Sequence, residues 1–382
     1  RGGDVTEAER LAMSFSPVAT ELSGIIDPLA SASLIRKAFT DSSQPLIKYP
    51  KALGRFWNKA LCRDSFVALM GTEKRGKSWW LMDLTIRAMT SGCKVVMFEA
   101  GDMTMEQWIR RVCIYLAGRN DDPDYCAPQW IPVVDCWHNQ TDTCDREERE
   151  GSFGIFPQGT DQKTITQAML IERAKTYPEY QPCHNCPHIR GTVWLKWQEQ
   201  IRPLDWRDAV KIAKKWNNKY QHRMRLASYP NETLTMSEIR SKLEQLEKQE
   251  DFIPDVIIID YVDIMSPDKD CVRLDKLEQT NRNWQRLRRL SQELHCLVIT
   301  ATQAAATAYD KESLGLKDFS DNKKKYAHVT ATYALNQTDE EKRLGVMRIG
   351  KMVVREEAFD RATQIHVLQH LHRGRPCVGN FF

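Results

Sequence analysis

A chain of 382 residues and 44.3 kDa can bury one large core or two smaller ones, which excludes a minimal scaffold held only by staples. Fifty-five basic against fifty-one acidic residues leave +4, so net charge alone points to neither nucleic acid nor a membrane surface. No apolar run approaches the ~18–20 residues that span a bilayer, and residues 1–30 lack the layout of a secretory signal; a cytoplasmic protein is expected, with its eleven cysteines reduced or bound to metal.

The chain begins at Arg1 and not at Met, which leaves room for an upstream piece. Residues 1–48 read as an N-terminal arm with a capping box at Thr6-x-x-Glu9 and a helix over Leu29 to Phe39, opened by Asp27-Pro28. Phe66 to Met70 reads as a buried strand and Trp79 to Met89 as a deeply packed helix. Between them Gly71-Thr72-Glu73-Lys74-Arg75-Gly76-Lys77-Ser78 fits the phosphate-binding pattern G-x-x-x-x-G-K-[ST] at every fixed position. A strand follows at Cys93 to Phe98, then a helix capped by Thr104-Met105-Glu106-Gln107, so residues 49–119 form the first part of an α/β core.

From 120 to 203 Pro, Gly, His, Trp and Cys scatter with little periodicity beyond a strand at Trp130 to Asp135, and an insertion is expected. The second part of the core runs from 204 to 370. It holds a helix over Leu204 to Asn218, a strand at Arg223 to Ser228, a helix capped at Thr235, and a β-branched strand ending at Asp260. A helix from Leu274 to Leu294 comes next, then strands at Cys296 to Thr300, Val329 to Leu335, Gly345 to Val354 and Gln364 to Leu368. Residues 371–382 read as a tail.

The chemistry follows from these placements. Backbone N–H groups of the glycine loop and the helix N-terminus face an anion, Lys77 reaches the β- and γ-phosphates of ATP, and Ser78 ligates Mg²⁺. Asp260, at the end of its strand, suits the acid that holds the Mg²⁺ shell. The next residue is Tyr261, so the acid that polarises water comes from another strand, with Glu99 and Asp102 as candidates. In the insertion, Cys136 and Cys144 precede Cys183-x-x-Cys186, and four thiolates suit structural Zn²⁺; His138, His184, His188 and Cys126 are spare ligand types.

The phosphate loop, Val96-Met97-Phe98 leading to Asp102-Met103-Thr104-Met105-Glu106-Gln107, Ile257-Ile258-Ile259-Asp260-Tyr261 and Ile299-Thr300-Ala301-Thr302-Gln303 follow one another in this order. The set resembles the RecA-like ATPase domain of DnaB-type replicative helicases, in a phage-type variant. The resemblance covers about 50–118 and 204–358 and implies an α/β, RecA-like P-loop fold with a mostly parallel central sheet, plus the small Cys-rich inserted module. It further implies a Mg²⁺-dependent ATPase that forms a homo-hexameric ring on single-stranded DNA and meets other replication proteins, with no membrane partner.

By the same resemblance Asp102 inherits the catalytic carboxylate, usually Glu in the family; Glu99 sharing the task stays open. Gln303 inherits the γ-phosphate sensor and Arg355 the residue given to a neighbour's nucleotide, Lys351 fitting that pattern less well. DNA contacts fall on the loops Ser266 to Arg273 and Ala305 to Lys325, the latter ending in Lys323-Lys324-Lys325. For Arg282, Arg286 and Arg289, subunit packing, solvation and DNA contact weigh equally. The family's primase-engaging N-terminal domain has no counterpart in the 48-residue arm. Two other readings remain: a recombinase-like filament ATPase, and an ATP-switched scaffold recruiting partners through the zinc module.

Overall fold

Alternate residues of the first strand serve opposite faces of a sheet, and this sets the layering. In β1 (Phe66–Gly71), Val67 and Leu69 join one core while Phe66 and Ala68 join another. A strand buried on both faces needs helices on both. The computed structural model describes residues 44–382 apart from 148–150, 152, 185, 187–189, 310, 319–322 and 356, and before 44 only the helical positions Ala32, Ile35, Arg36 and Phe39. The capping box at Thr6 and most of the expected arm lie outside the described residues. Two units separate, Arg1–Ser43 and Gln44–Phe382, and the second carries everything below.

Its elements are α1 (Lys51–Trp57), β1, α2 (Lys77–Thr90), β2 (Val95–Glu99), α3 (Met105–Ala117), β3 (Gln129–Cys136), α4 (Trp137–Gln140), α5 (Gln167–Thr176), β4 (Gly191–Gln198), α6 (Trp206–Lys219), β5 (Met224–Ser228) and α7 (Met236–Glu250). Then come β6 (Val256–Asp260), α8 (Lys276–Glu293), β7 (Leu297–Gln303), β8 (Ala331–Asn336), α9 (Asp339–Leu344), β9 (Val346–Val354), β10 (Gln364–His370) and β11 (Arg375–Phe381). The main sheet has the order β11-β10-β9-β8-β1-β7-β6-β2-β5. From β8 to β5 every pairing is parallel, and β9, β10 and β11 add an antiparallel edge. This is the expected α/β, mostly parallel architecture.

Local chemistry explains the helices nearest the site. Thr104 and Thr235 close the capping boxes expected of α3 and α7. Asp83, buried in α2, accepts from Tyr49 Oη (2.5 Å), Tyr115 Oη (2.6 Å) and Arg87 Nε (2.7 Å), fixing the helix behind the phosphate loop to its neighbours. On the opposite face Trp284, Leu287 and Leu290 of α8 bury against β1, β6 and β7.

Two stretches depart from the sequence reading. Residues 375–381, expected in a tail, form β11 at the sheet edge. The insertion, whose weak periodicity promises little core, pairs β3 with β4 and encloses Trp137, Ile155, Phe156, Leu170, Tyr180, Trp194 and Leu195. These pack on Leu344, Val346, Leu368 and Phe381 of the main body.

Candidate functional site

The parallel strands deliver their last residues to one edge: Gly71 of β1 lies abreast of Gln303 of β7, and Glu99 of β2 abreast of Asp260 of β6. From Gly71 the loop passes Thr72, Glu73, Lys74 and Arg75 to Gly76, which caps α2 with φ 75°. Lys77 Nζ donates to Gly71 O (3.0 Å) and Thr72 O (2.9 Å), and Arg75 Nε to Thr72 Oγ1 (3.2 Å). Burial pulls the Lys77 ammonium below its ordinary value, against the opposing pull of Asp260, Asp102, Asp263 and Glu73. The Ser78 hydroxyl bonds the Asp260 carboxylate. The loop residues, Lys77, Ser78 and Asp260 are therefore brought together.

The three acids differ in kind. Asp260 is buried and its carboxyl is pushed up to about 6, by burial first and then by Asp102, with Ser78 and Lys77 pulling it down. Glu99 is fully buried; burial and then Asp260 push it up to about 8. Its Oε1 accepts the backbone N–H groups of Asp102 (3.0 Å) and Met103 (3.1 Å), while Glu99 Oε2 and Asp260 Oδ2 are buried without a protein partner. Asp102 itself is exposed at the turn into α3. Gly101 makes that turn possible: its φ is 112° and a Cβ there would lie 2.3 Å from the Asn231 backbone.

At the end of β7, Gln303 Nε2 donates to Tyr261 Oη (3.2 Å), and Thr302 Oγ1 to Asp263 Oδ2 (2.6 Å). Sequence reading passed over Asp263, although an acid three residues after Asp260 was a visible signal. Lys325, read with Lys323 and Lys324 as one basic run, is buried and paired with Asp263 (2.9 Å). The side chains of Lys323 and Lys324 are outside the described residues.

Arg355 is not at this edge. Its N–H bonds Thr330 O, and Thr330 N–H bonds the carbonyl of Phe66, the first residue of β1. The phosphate loop lies at the other end of that strand, roughly 17 Å away. The exposed guanidinium contacts Ala327 O, and Lys351 pairs with Glu357. Arg282 pairs with Glu278, Arg286 with Asp268 and Asp270, and Arg289 with Glu293, so each arginine of that face meets a carboxylate of its own chain.

The zinc expectation gains no support from the described residues. Among the described residues no group of three or more Cys, His, Asp or Glu side chains is arranged to hold a metal ion. Backbone N–H groups of Asn139, His138 and Arg190 face the Cys136 sulfur, and Arg146 Nη1 donates to Cys186 Sγ (3.1 Å). Cys144 and Cys183 complete no cluster with them, and His188 lies outside the described residues. A buried carboxylate organises the module instead. Asp135 accepts from Cys136 N (2.7 Å), Cys183 N (2.8 Å), Tyr180 Oη (2.7 Å) and Gln140 Nε2 (2.9 Å). This hub and an aromatic core both contribute to ordering the segment.

Residues 196–313, which hold the Asp260 strand, α8 and the Gln303 strand, match the family model described as the DnaB-like helicase C terminal domain. Over that stretch, less than half of its length, the chain is similar to a DnaB-like helicase C terminal domain. Solved structures agree on the fold. The ATPase domain of the protein G40-P matches at 12% identity over 92% of this chain and 98% of that one, with TM-score 0.59. A DnaB-like replicative helicase, described with its interactions with primase, matches at 10% identity over 97% and 70%, with TM-score 0.57. No curated protein matches the chain by sequence. Among the described residues no helix is long and apolar enough to cross a membrane.

Proposed function

We propose that the chain forms a ring, hexameric as in its resemblance, that hydrolyses ATP between neighbouring copies to move on single-stranded DNA. The observation that carries this reading is the division of the machinery. Lys77, Ser78, Asp260 and Asp102 share one edge of the sheet, and Arg355 occupies the other. In this reading Lys77 holds the phosphates, Asp102 orients the attacking water, Gln303 senses the γ-phosphate and Arg355 completes the site of an adjacent copy.

The donors fit a divalent cation: Ser78 Oγ and the partnerless, buried Asp260 Oδ2 are hard oxygens beside the phosphate loop. They would hold Mg²⁺, which when bound neutralises charge developing on the phosphate oxygens. Glu99 serves as the positioning group for Asp102, since it is buried and its Oε1 already binds the 102–103 backbone.

ATP hydrolysis by wild type and Asp102→Asn, each with and without single-stranded DNA over a salt series, tests the proposal. Stimulation by DNA should fade with salt, because phosphate contacts release counterions, and hydrolysis should fall ~100-fold or more in the variant. Equal rates in both proteins would overturn the assignment of Asp102. Open filaments in place of closed rings under the electron microscope would favour the recombinase-like alternative.

A further inference from the structure

The helix α6 turns its two faces to different surroundings. Ala209, Ile212, Ala213 and Trp216 are partly buried, and on this side the helix packs on α3, with Trp216 against the main core. At 3.6 residues per turn Arg207, Lys211, Lys214 and Asn218 share the opposite face, and all four are exposed. Lys215 flanks that row on one side and Trp206, 72% exposed, on the other.

The acids at the start of the helix do not neutralise this row. Asp205 accepts the Asp208 N–H (2.8 Å) as its N-cap and pairs with Arg202 (2.6 Å), while Asp208 pairs with Arg119 (2.5 Å) and Arg202 (2.6 Å). Among the described residues no carboxylate lies within ion-pair distance of Arg207, Lys211, Lys214 or Lys215. The arginine face of α8 is the contrast, since Arg282, Arg286 and Arg289 each meet a carboxylate of their own chain. Like charges one turn apart on a helix repel, so an uncompensated row weakens the helix that carries it and is matched only by an anion from outside.

Trp206 narrows the choice of anion. The Arg207 guanidinium lies 5.3 Å from the centroid of its ring, which leaves a solvent-facing indole beside a cation at the head of the row. An unpaired base stacks on such a ring while its phosphates follow the cations, and a duplex, whose bases are already stacked, offers it nothing. An acidic peptide would satisfy the charges alone. A lipid surface would need the apolar face of the helix, which is already spent on α3 and the core.

We propose that the outer face of α6 binds a single-stranded polynucleotide, with Arg207, Lys211 and Lys214 on successive phosphates and Trp206 stacked on a base. Neighbouring members of the row stand about 5–6 Å apart, so one strand laid along the helix meets all three. The proposal goes beyond the translocase reading and does not rest on it: the face binds the strand whether or not the chain moves along it.

The test uses the full chain and a fluorescein-labelled oligo-dT, followed by anisotropy over a salt series. Wild type is compared with the triple variant Arg207→Gln/Lys211→Gln/Lys214→Gln, with Trp206→Ala and with Trp206→Tyr; as these side chains are exposed, all should melt as wild type does. The triple variant should bind ~10-fold more weakly at low salt, and its slope of log affinity against log salt should be shallower by about 2, the share of three phosphates on a single strand. Trp206→Ala should lose ~5-fold or more with the slope kept, and Trp206→Tyr should regain most of that loss. Wild-type affinity and slope in the triple variant would overturn the surface. Full binding by Trp206→Ala, or a duplex of the same length competing as well as unlabelled oligo-dT, would overturn the single-strand assignment. Polyglutamate displacing the probe as well as oligo-dT does, charge for charge, would make the face a seat for acidic polypeptide and overturn the proposal.

Discussion

Replacing Glu99 by Gln separates a buried proton from a catalytic base. Glu99 keeps its proton up to about pH 8, against an ordinary value of 4.5. Between those values the folded chain binds a proton that the unfolded chain has released, so stability is full below pH 4.5 and is lost as pH rises through about 8. The displacement sets an upper bound of roughly 5 kcal/mol. Because Glu99 and Asp260 lie side by side and titrate as a pair, on the order of 2 kcal/mol is the expected share. Glutamine retains an oxygen for the N–H groups of Asp102 and Met103 and places an N–H donor beside the partnerless Asp260 Oδ2. Melting without nucleotide or Mg²⁺ should fall by about 5 °C in wild type from pH 5 to 8, and by less than half of that in Glu99→Gln. Parallel pH profiles for the two proteins would refute the buried proton and return Glu99 to the list of water-activating acids.

Two further substitutions probe the frame around that carboxylate. Gly101→Ala forces a Cβ onto the Asn231 backbone at positive φ, and should cost about 2–3 kcal/mol in denaturant melts while reducing turnover, since the same turn aims Asp102. Arg355→Ala should leave the melt within about 1 kcal/mol, its partner being one exposed carbonyl, and lower turnover by ~1000-fold. Mixing Arg355→Ala with Asp102→Asn subunits should restore part of that turnover in a single assay; no recovery at any ratio would count against a shared site.

The fold was legible where one signal sufficed. β1, β6 and β7 are runs of apolar and β-branched residues, buried on both faces, and the phosphate loop carries its own spacing. β11 was not legible because Arg-Pro-Cys-Val-Gly-Asn-Phe mixes Pro, Gly and polar residues, which an edge strand tolerates and a sequence window reads as a tail. Cys-x-x-Cys spacing speaks of metal but says nothing of the aromatic cluster and Asp135 in the insertion, which come from distant positions. Lys325 shows the limit most clearly. Nothing in Lys323-Lys324-Lys325 says that Lys325 turns inward, because that depends on Asp263 and Trp284, far away in the chain.

The seam between the insertion and the antiparallel edge leaves no slack. A methyl group on Gly191, which opens β4, would sit 2.2 Å from Phe381, and one on Gly379 would sit 2.6 Å from Val134 of β3. Phe381 and Leu368 thus face two ways, closing the edge of the large sheet and walling the small module. Removing β11 would open the sheet edge and unwall the module at once, so this strand acts as a keystone: the module cannot be grafted elsewhere, nor the edge shortened, without redesigning the other.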